Sequence, residues 1–139
     1  MLKKEMIFLD LDLKNKEEVI RFLGNKLYEQ GNITKDYVES MIKREQEMST
    51  YLKNGIALPH GIMSESLEGI YENGVALAVI NNEIEWDQGN TVKIVLAIAA
   101  DRITHMDILA KIAKIASDNE KINKLLTMSE DEIVLNFNK

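Results

Sequence analysis

Gly74-Val75-Ala76-Leu77-Ala78-Val79-Ile80 is the stretch on which the reading of the fold turns. Before it, apolar residues recur every three or four positions. Here the period changes, and the run reads as a strand. Asn81-Asn82 then marks a turn, Ile84 to Trp86 a short strand, and Asp87-Gln88-Gly89-Asn90 another turn. Thr91 to Ala100 is apolar almost throughout, which suits a strand covered on both faces.

Helical patterns lie on both sides of this middle. Asn15 or Asp12 caps a first helix opening with Lys16-Glu17-Glu18, with Val19, Ile20, Phe22, Leu23 and Leu27 as its apolar stripe and Gly31 at its end. Thr34 caps a second, whose buried face is Tyr37, Val38, Met41 and Ile42 and whose last turn carries Lys43 and Arg44. A third is expected from about Thr104 to Ala116, with Met106, Leu109, Ile112, Ala113 and Ala116 inward. Asp118 or Asn119 starts a fourth, and Ser129-Glu130-Asp131-Glu132 is a capping-box pattern for a fifth. Met6 to Leu9 reads as a strand near the amino terminus. Helices at both ends of a strand-rich middle make an α/β (α+β) sandwich. With no linker, repeat or composition break in 139 residues, a single domain is expected.

Composition narrows function. The net charge of −6 argues against nucleic acid, whose binding rests on phosphate neutralisation by Lys and Arg. The apolar runs are far short of the roughly 18–20 residues that span a bilayer, so no membrane insertion is expected. Met1-Leu2-Lys3-Lys4-Glu5 does not open a secretory signal, and no cysteine is present, so a cytoplasmic location is expected. Glycine fingerprints for dinucleotides, a Walker loop, a nucleophile elbow and a His-Glu-x-x-His pair are all missing.

What remains for chemistry is Asn54-Gly55-Ile56-Ala57-Leu58-Pro59-His60-Gly61, which sets one of only two histidines after the only proline. Proline fixes its own φ and pushes Leu58 toward extended backbone. A histidine here either anchors its loop through a nearby carbonyl or serves as a nucleophile toward phosphorus. The second use needs a neutral ring with one nitrogen free, the other holding the proton against a carbonyl. His105 follows a buried strand and opens a helix, where α/β folds gather functional groups. It makes a local bond there or completes a pair with His60. Arg44 is either a solvated helix-end cation or a guanidinium gripping two phosphate oxygens. Ser49 and Thr50 offer further hydroxyl donors. A zinc site joining the histidines with Asp101 or Asp107 lacks any compact ligand spacing. Trp86, between acidic residues, is given no function.

The run Arg44-Glu45-Gln46-Glu47-Met48-Ser49-Thr50-Tyr51-Leu52, followed by Gly55 to Gly61, resembles the enzyme IIA domains of the bacterial sugar phosphotransferase system, in the mannitol/fructose group. That signature has an acidic or amide residue, then six positions and an apolar one. A small residue and two free positions come next, then apolar-Ala-apolar-Pro-His-small. Glu45, Leu52, Ile56, Ala57, Leu58, Pro59, His60 and Gly61 match it; Lys53 stands where glycine or alanine is usual. Downstream, Val95 to Ala100 and then His105-Met106, Leu109 and Ile112-Ala113 are similar to the family's strand and following helix, with Thr104 where an acidic residue is common. Ile84-Glu85-Trp86-Asp87 and the spacing to His105 resemble the mannitol branch.

The resemblance implies a mixed, mostly parallel sheet flanked by helices, with the active histidine in a shallow cleft. It implies that His60 accepts a phosphoryl group from the carrier protein HPr and passes it to a cysteine of the EIIB domain during sugar uptake. His105 would stabilise the group and Arg44 clamp its oxygens, with no metal or organic cofactor. Related domains also occur in transcription regulators, where the phosphorylated histidine sets activity. The short chain without a helix-turn-helix or membrane segment favours a free transport subunit.

Overall fold

The computed structural model describes residues 1–62 and 68–138. A 3-10 turn at Lys4–Met6, closed by the Met6 N–H on the Lys3 carbonyl, leads into β1 (Ile7–Leu11). Two helices follow, α1 (Lys16–Glu29) and α2 (Lys35–Glu47). Their caps are the expected ones: the Asn15 side chain accepts from Glu18 N–H, and Thr34 Oγ1 from Tyr37 N–H. Gly31, at φ +85°, turns the chain out of α1.

A hairpin of β2 (Tyr51–Lys53) and β3 (Ile56–Ala57) comes next. Asn54 and Gly55 join the strands with φ of 52° and 87°, both in the left-handed region that such a tight connection requires. Then come β4 (Gly74–Ile80), β5 (Glu85–Asp87), β6 (Asn90–Thr91) and β7 (Ile94–Ala99). The chain ends with α3 (Arg102–Ala116), α4 (Asn119–Leu126) and α5 (Glu130–Phe137), the last opened by the Ser129/Glu132 capping box.

The main sheet has the order β1-β4-β7-β3-β2. It is mixed, as expected, but not mostly parallel: β1 with β4 and β3 with β7 run parallel, while β4 with β7 and β2 with β3 run antiparallel. Every residue of β4 and β7 is buried, as central strands covered on both faces must be. The helix pair α1 and α2 packs together, with α1 lying on β4 and β7, while α3 packs on α4. Asn138 ties the two ends of the described chain, accepting from the N–H groups of Met1 and Leu2 and donating to the Leu2 carbonyl.

Three expectations shift. The first strand begins at Ile7 because Met6 is spent closing the turn. The long strand expected from Thr91 to Ala100 is two strands. The tight turn at Gln88-Gly89 sends Asn90–Thr91 back onto β5, and the chain bends at Lys93, whose N–H donates to Gly55 C=O at 2.7 Å. The inward stripe of α3 is His105, Ile108, Ile112 and Ala116, so Met106 is 58% exposed and Ala113 also faces out. An imidazole thus takes a place on the buried face that the apolar pattern assigns to aliphatic side chains. Among the described residues, no helix is long and apolar enough to cross a membrane.

Candidate active site

The hydrogen-bonded ladder of β3 does not stop at Ala57. Leu58 N–H donates to the Thr50 carbonyl at 3.0 Å, and the Pro59 carbonyl accepts from Ile98 N–H at 2.9 Å. His60 therefore stands just beyond β3 and beside β7, bridged to Ile98. Its Nδ1 lies 2.7 Å from the Leu58 carbonyl. A carbonyl only accepts, so Nδ1 carries the proton and Nε2 keeps its lone pair. The loop-anchoring bond and the tautomer required of a nucleophile are the same interaction.

Gly61 is fixed by a neighbour, not by its own φ. Its N–H donates to Tyr37 Oη at 2.9 Å, and that hydroxyl donates to the Ile98 carbonyl at 3.3 Å. A Cβ on Gly61 would sit 2.5 Å from the Tyr37 ring, so only glycine allows the approach. Burial pushes the Tyr37 phenol above its ordinary value. The next residue, Ile62, donates its N–H to Ser40 Oγ at 3.0 Å.

His105 reaches the same place from the first turn of α3. Asp101 caps that helix, accepting from Thr104 N–H at 2.8 Å, and is held in turn by Asn73 Nδ2 at 2.8 Å. With its carboxylate so engaged, Asp101 serves the helix end. Thr104 donates its hydroxyl to Asp101 at 3.1 Å, a local use for the position where an acid is common in the resembling family. The rings of His60 and His105 meet edge to face, centroids 4.7 Å apart. His105 is 5% exposed, and its Nδ1 is buried with no hydrogen-bond partner among the described residues. Burial, then His60, then Arg44 push its pKa down to about 4. Burial foremost, with Arg44 adding to it, also lowers that of His60, against the Leu58 bond and the Glu45 charge. Both rings are therefore neutral near pH 7.

Arg44, half-buried in the last turn of α2, donates to the Met48 carbonyl while its charge bears on both imidazoles. The structure thus brings together His60, His105 and Arg44. Ser49 Oγ accepts from Tyr51 N–H at 3.1 Å, which leaves its own proton for another acceptor. Thr50 is arranged differently from its expected use as a phosphate donor: its N–H and its hydroxyl both point at the Glu45 carboxylate. Lys53 is an exposed residue of β2, so nothing at that position calls for glycine.

The phosphoenolpyruvate-dependent sugar phosphotransferase system, EIIA 2 family model matches residues 1–139. The chain belongs to this family. Members of it are enzyme IIA components of a phosphotransferase system. The mannitol-specific phosphotransferase enzyme IIA component of Bacillus subtilis is 37% identical over 140 residues, covering 100% of this chain and 97% of the relative. The crystal structure of IIA mannitol from Escherichia coli superposes with a TM-score of 0.86 at 30% identity, covering 99% of each chain. The Escherichia coli complex of enzyme IIA and phosphorylated enzyme IIB for mannitol gives 0.88 at 29% identity, covering 99% of this chain and 96% of that one.

The EIIA signature residues quoted from the sequence thus fall on one stretch of structure, from the end of α2 to Gly61. Two supports of the site are silent in the sequence. Tyr37 is legible there as a buried residue of α2, but its hydroxyl bonds depend on strands far along the chain. Asn73, which clamps Asp101, carries no signal beyond preceding a glycine.

Proposed function

We propose that this chain is a cytoplasmic phosphoryl carrier of a mannitol-type sugar uptake system, its 139 residues acting as one EIIA-type domain. The observation that carries the reading is the His60 ring, held by Leu58 in the Nδ1–H form with His105 and Arg44 beside it. The names borne by its full-length relatives support the mannitol branch and transfer to EIIB.

His60 Nε2 attacks the phosphorus of phosphorylated HPr. An N–P bond forms on His60 as the donor's N–P bond breaks, and that electron pair returns to the donor imidazole. The Nδ1 proton stays in its bond to the Leu58 carbonyl throughout. In the second half a cysteine thiolate of EIIB attacks, an S–P bond forms, and Nε2 recovers its lone pair. Charge on the equatorial oxygens must be held while these bonds change. Arg44 supplies two parallel N–H donors, and His105, neutral when the site is empty of phosphate, supplies one more. Ser49 is a further donor from the β2 side; Thr50 acts through Glu45 instead.

Incubation with phosphoenolpyruvate, enzyme I and HPr places acid-labile phosphate on wild-type protein and none on His60→Ala. Label persisting in that variant overturns the assignment. Onward transfer to a cysteine-bearing EIIB domain completes the carrier reading; charging without it favours a regulatory module.

A further inference from the structure

Glu45 is a carboxylate in an unfavourable place. It lies in the last turn of α2, at the negative end of the helix dipole, and is 5% exposed. Burying a charge is costly unless it is well paired. Its partners are all directed. Both carboxylate oxygens are 3.1 Å from Thr50 N–H, the Thr50 hydroxyl donates to Oε1, and Lys16 Nζ stands 3.5 Å away while also donating to the Trp86 carbonyl at 2.8 Å. An apolar side chain would fill this site without those demands, so the carboxylate must be explained by what it holds.

What it holds is the nucleophile's support. Thr50, gripped at its N–H by Glu45, offers its carbonyl to Leu58 N–H; Leu58 in turn offers its carbonyl to His60 Nδ1–H. A connected set of hydrogen bonds therefore runs from Lys16 and Glu45 through the backbone of Thr50 and Leu58 to the imidazole, each fixing the position of the next. The same contact clamps the chain after α2, where Arg44 is bonded to the Met48 carbonyl. We infer that Glu45 is a positioning residue for phosphoryl transfer, fixing through Thr50 and Leu58 the proton and orientation of the His60 ring and, through the end of α2, the place of Arg44. This rests on the carrier reading for His60. The acidic or amide position of the family signature thereby gains a physical role, that of hydrogen-bond acceptor for Thr50.

The test reads nitrogen-15 NMR of His60 beside the rate of phosphoryl transfer from HPr. Wild type is expected in the Nδ1–H form. Glu45→Ala is expected to populate the Nε2–H form and to slow transfer roughly ten- to hundred-fold, the scale set by small misplacement of a reacting group. Glu45→Gln keeps an acceptor for Thr50 N–H and is expected to restore the tautomer and most of the rate. It also lowers the His60 titration midpoint, because the charge that favours the protonated ring is gone. A folded Glu45→Ala protein with wild-type tautomer and rate overturns the inference. If that variant does not fold, Glu45→Leu, which fills the site without an acceptor for Thr50 N–H, is read instead, and a wild-type tautomer and rate in it overturn the inference. The tautomer and midpoint are read on unphosphorylated protein, so a wild-type chain that accepts no phosphoryl group sinks the carrier reading separately.

Discussion

The imidazoles of His60 and His105 meet edge to face at 4.7 Å with their planes 68° apart, and His60 adds to the burial that disfavours the charged form of His105. They are the only histidines of the chain, and the surroundings of each disfavour its charged form.

Stability is therefore expected to fall as pH drops through the range where an unfolded histidine takes up a proton. The ordinary value is 6.5 and that of folded His105 is about 4. The unfolded chain binds more protons between these values, so stability is fully present above about 6.5 and is lost on descending toward 4. From His105 alone the loss between pH 7 and pH 5 is about 2 kcal/mol, and His60 adds with the same sign. Urea unfolding followed by the buried Trp86 checks this; His105→Gln should flatten the slope.

Loss of either neighbour of His60 should slow transfer without unfolding the protein. Arg44→Ala and His105→Ala are each expected to reduce the rate from HPr about hundred- to thousand-fold, the range seen when one preorganised donor is removed. Arg44→Lys should recover little, because an ammonium cannot present two parallel donors. Single-turnover transfer is the measurement, and a wild-type rate in either alanine variant removes that residue from the site.

Gly61→Ala should be destabilising although its φ is ordinary. The added methyl meets Tyr37 Cε2 at 2.5 Å and Cζ at 2.6 Å, and that ring is pinned by bonds to Gly61 and Ile98. Overpacking of this kind costs about 1–3 kcal/mol. Pairing it with Tyr37→Leu should recover part of the loss, giving non-additive unfolding midpoints; strict additivity would mean the clash is not the cause.

Ser129→Ala separates stability from function. It removes half of the α5 capping box, and a lost cap costs about 1 kcal/mol. Transfer rates should stay at the wild-type level, since α5 contributes no residue to the site built by α2, β3 and the start of α3. Thermal unfolding and the transfer assay on one preparation decide the point.

The helices are legible in the chain alone because what starts and stops them is close in sequence. Asn15, Thr34, Asp118 and Ser129 each bond an N–H two or three residues on, and such caps need no tertiary structure to be recognised. His60, His105 and Arg44 are legible as chemistry and as positions in a family signature. Less legible are places where distant backbone decides. Gly55 C=O draws Lys93 and splits one expected strand into two. Met106 falls inward on aliphatic spacing, which does not reveal that the buried stripe of α3 is led by an imidazole.

The amino-acid order on its own determined the alternation of helix and strand, the stiff extended Leu58-Pro59-His60 segment and the residue types able to carry phosphate, because each depends on bonds and periods within a few positions. Only tertiary structure decided that His105 lies against His60, that the Leu58 carbonyl holds the Nδ1 proton, and that Glu45 is buried on Thr50. Those contacts exist because β3 and β7 pair side by side in parallel, so that the end of α2 and the start of α3 meet at the same end of these inner strands. Strand pairing between distant segments is a property of the whole packed core, which no local window contains.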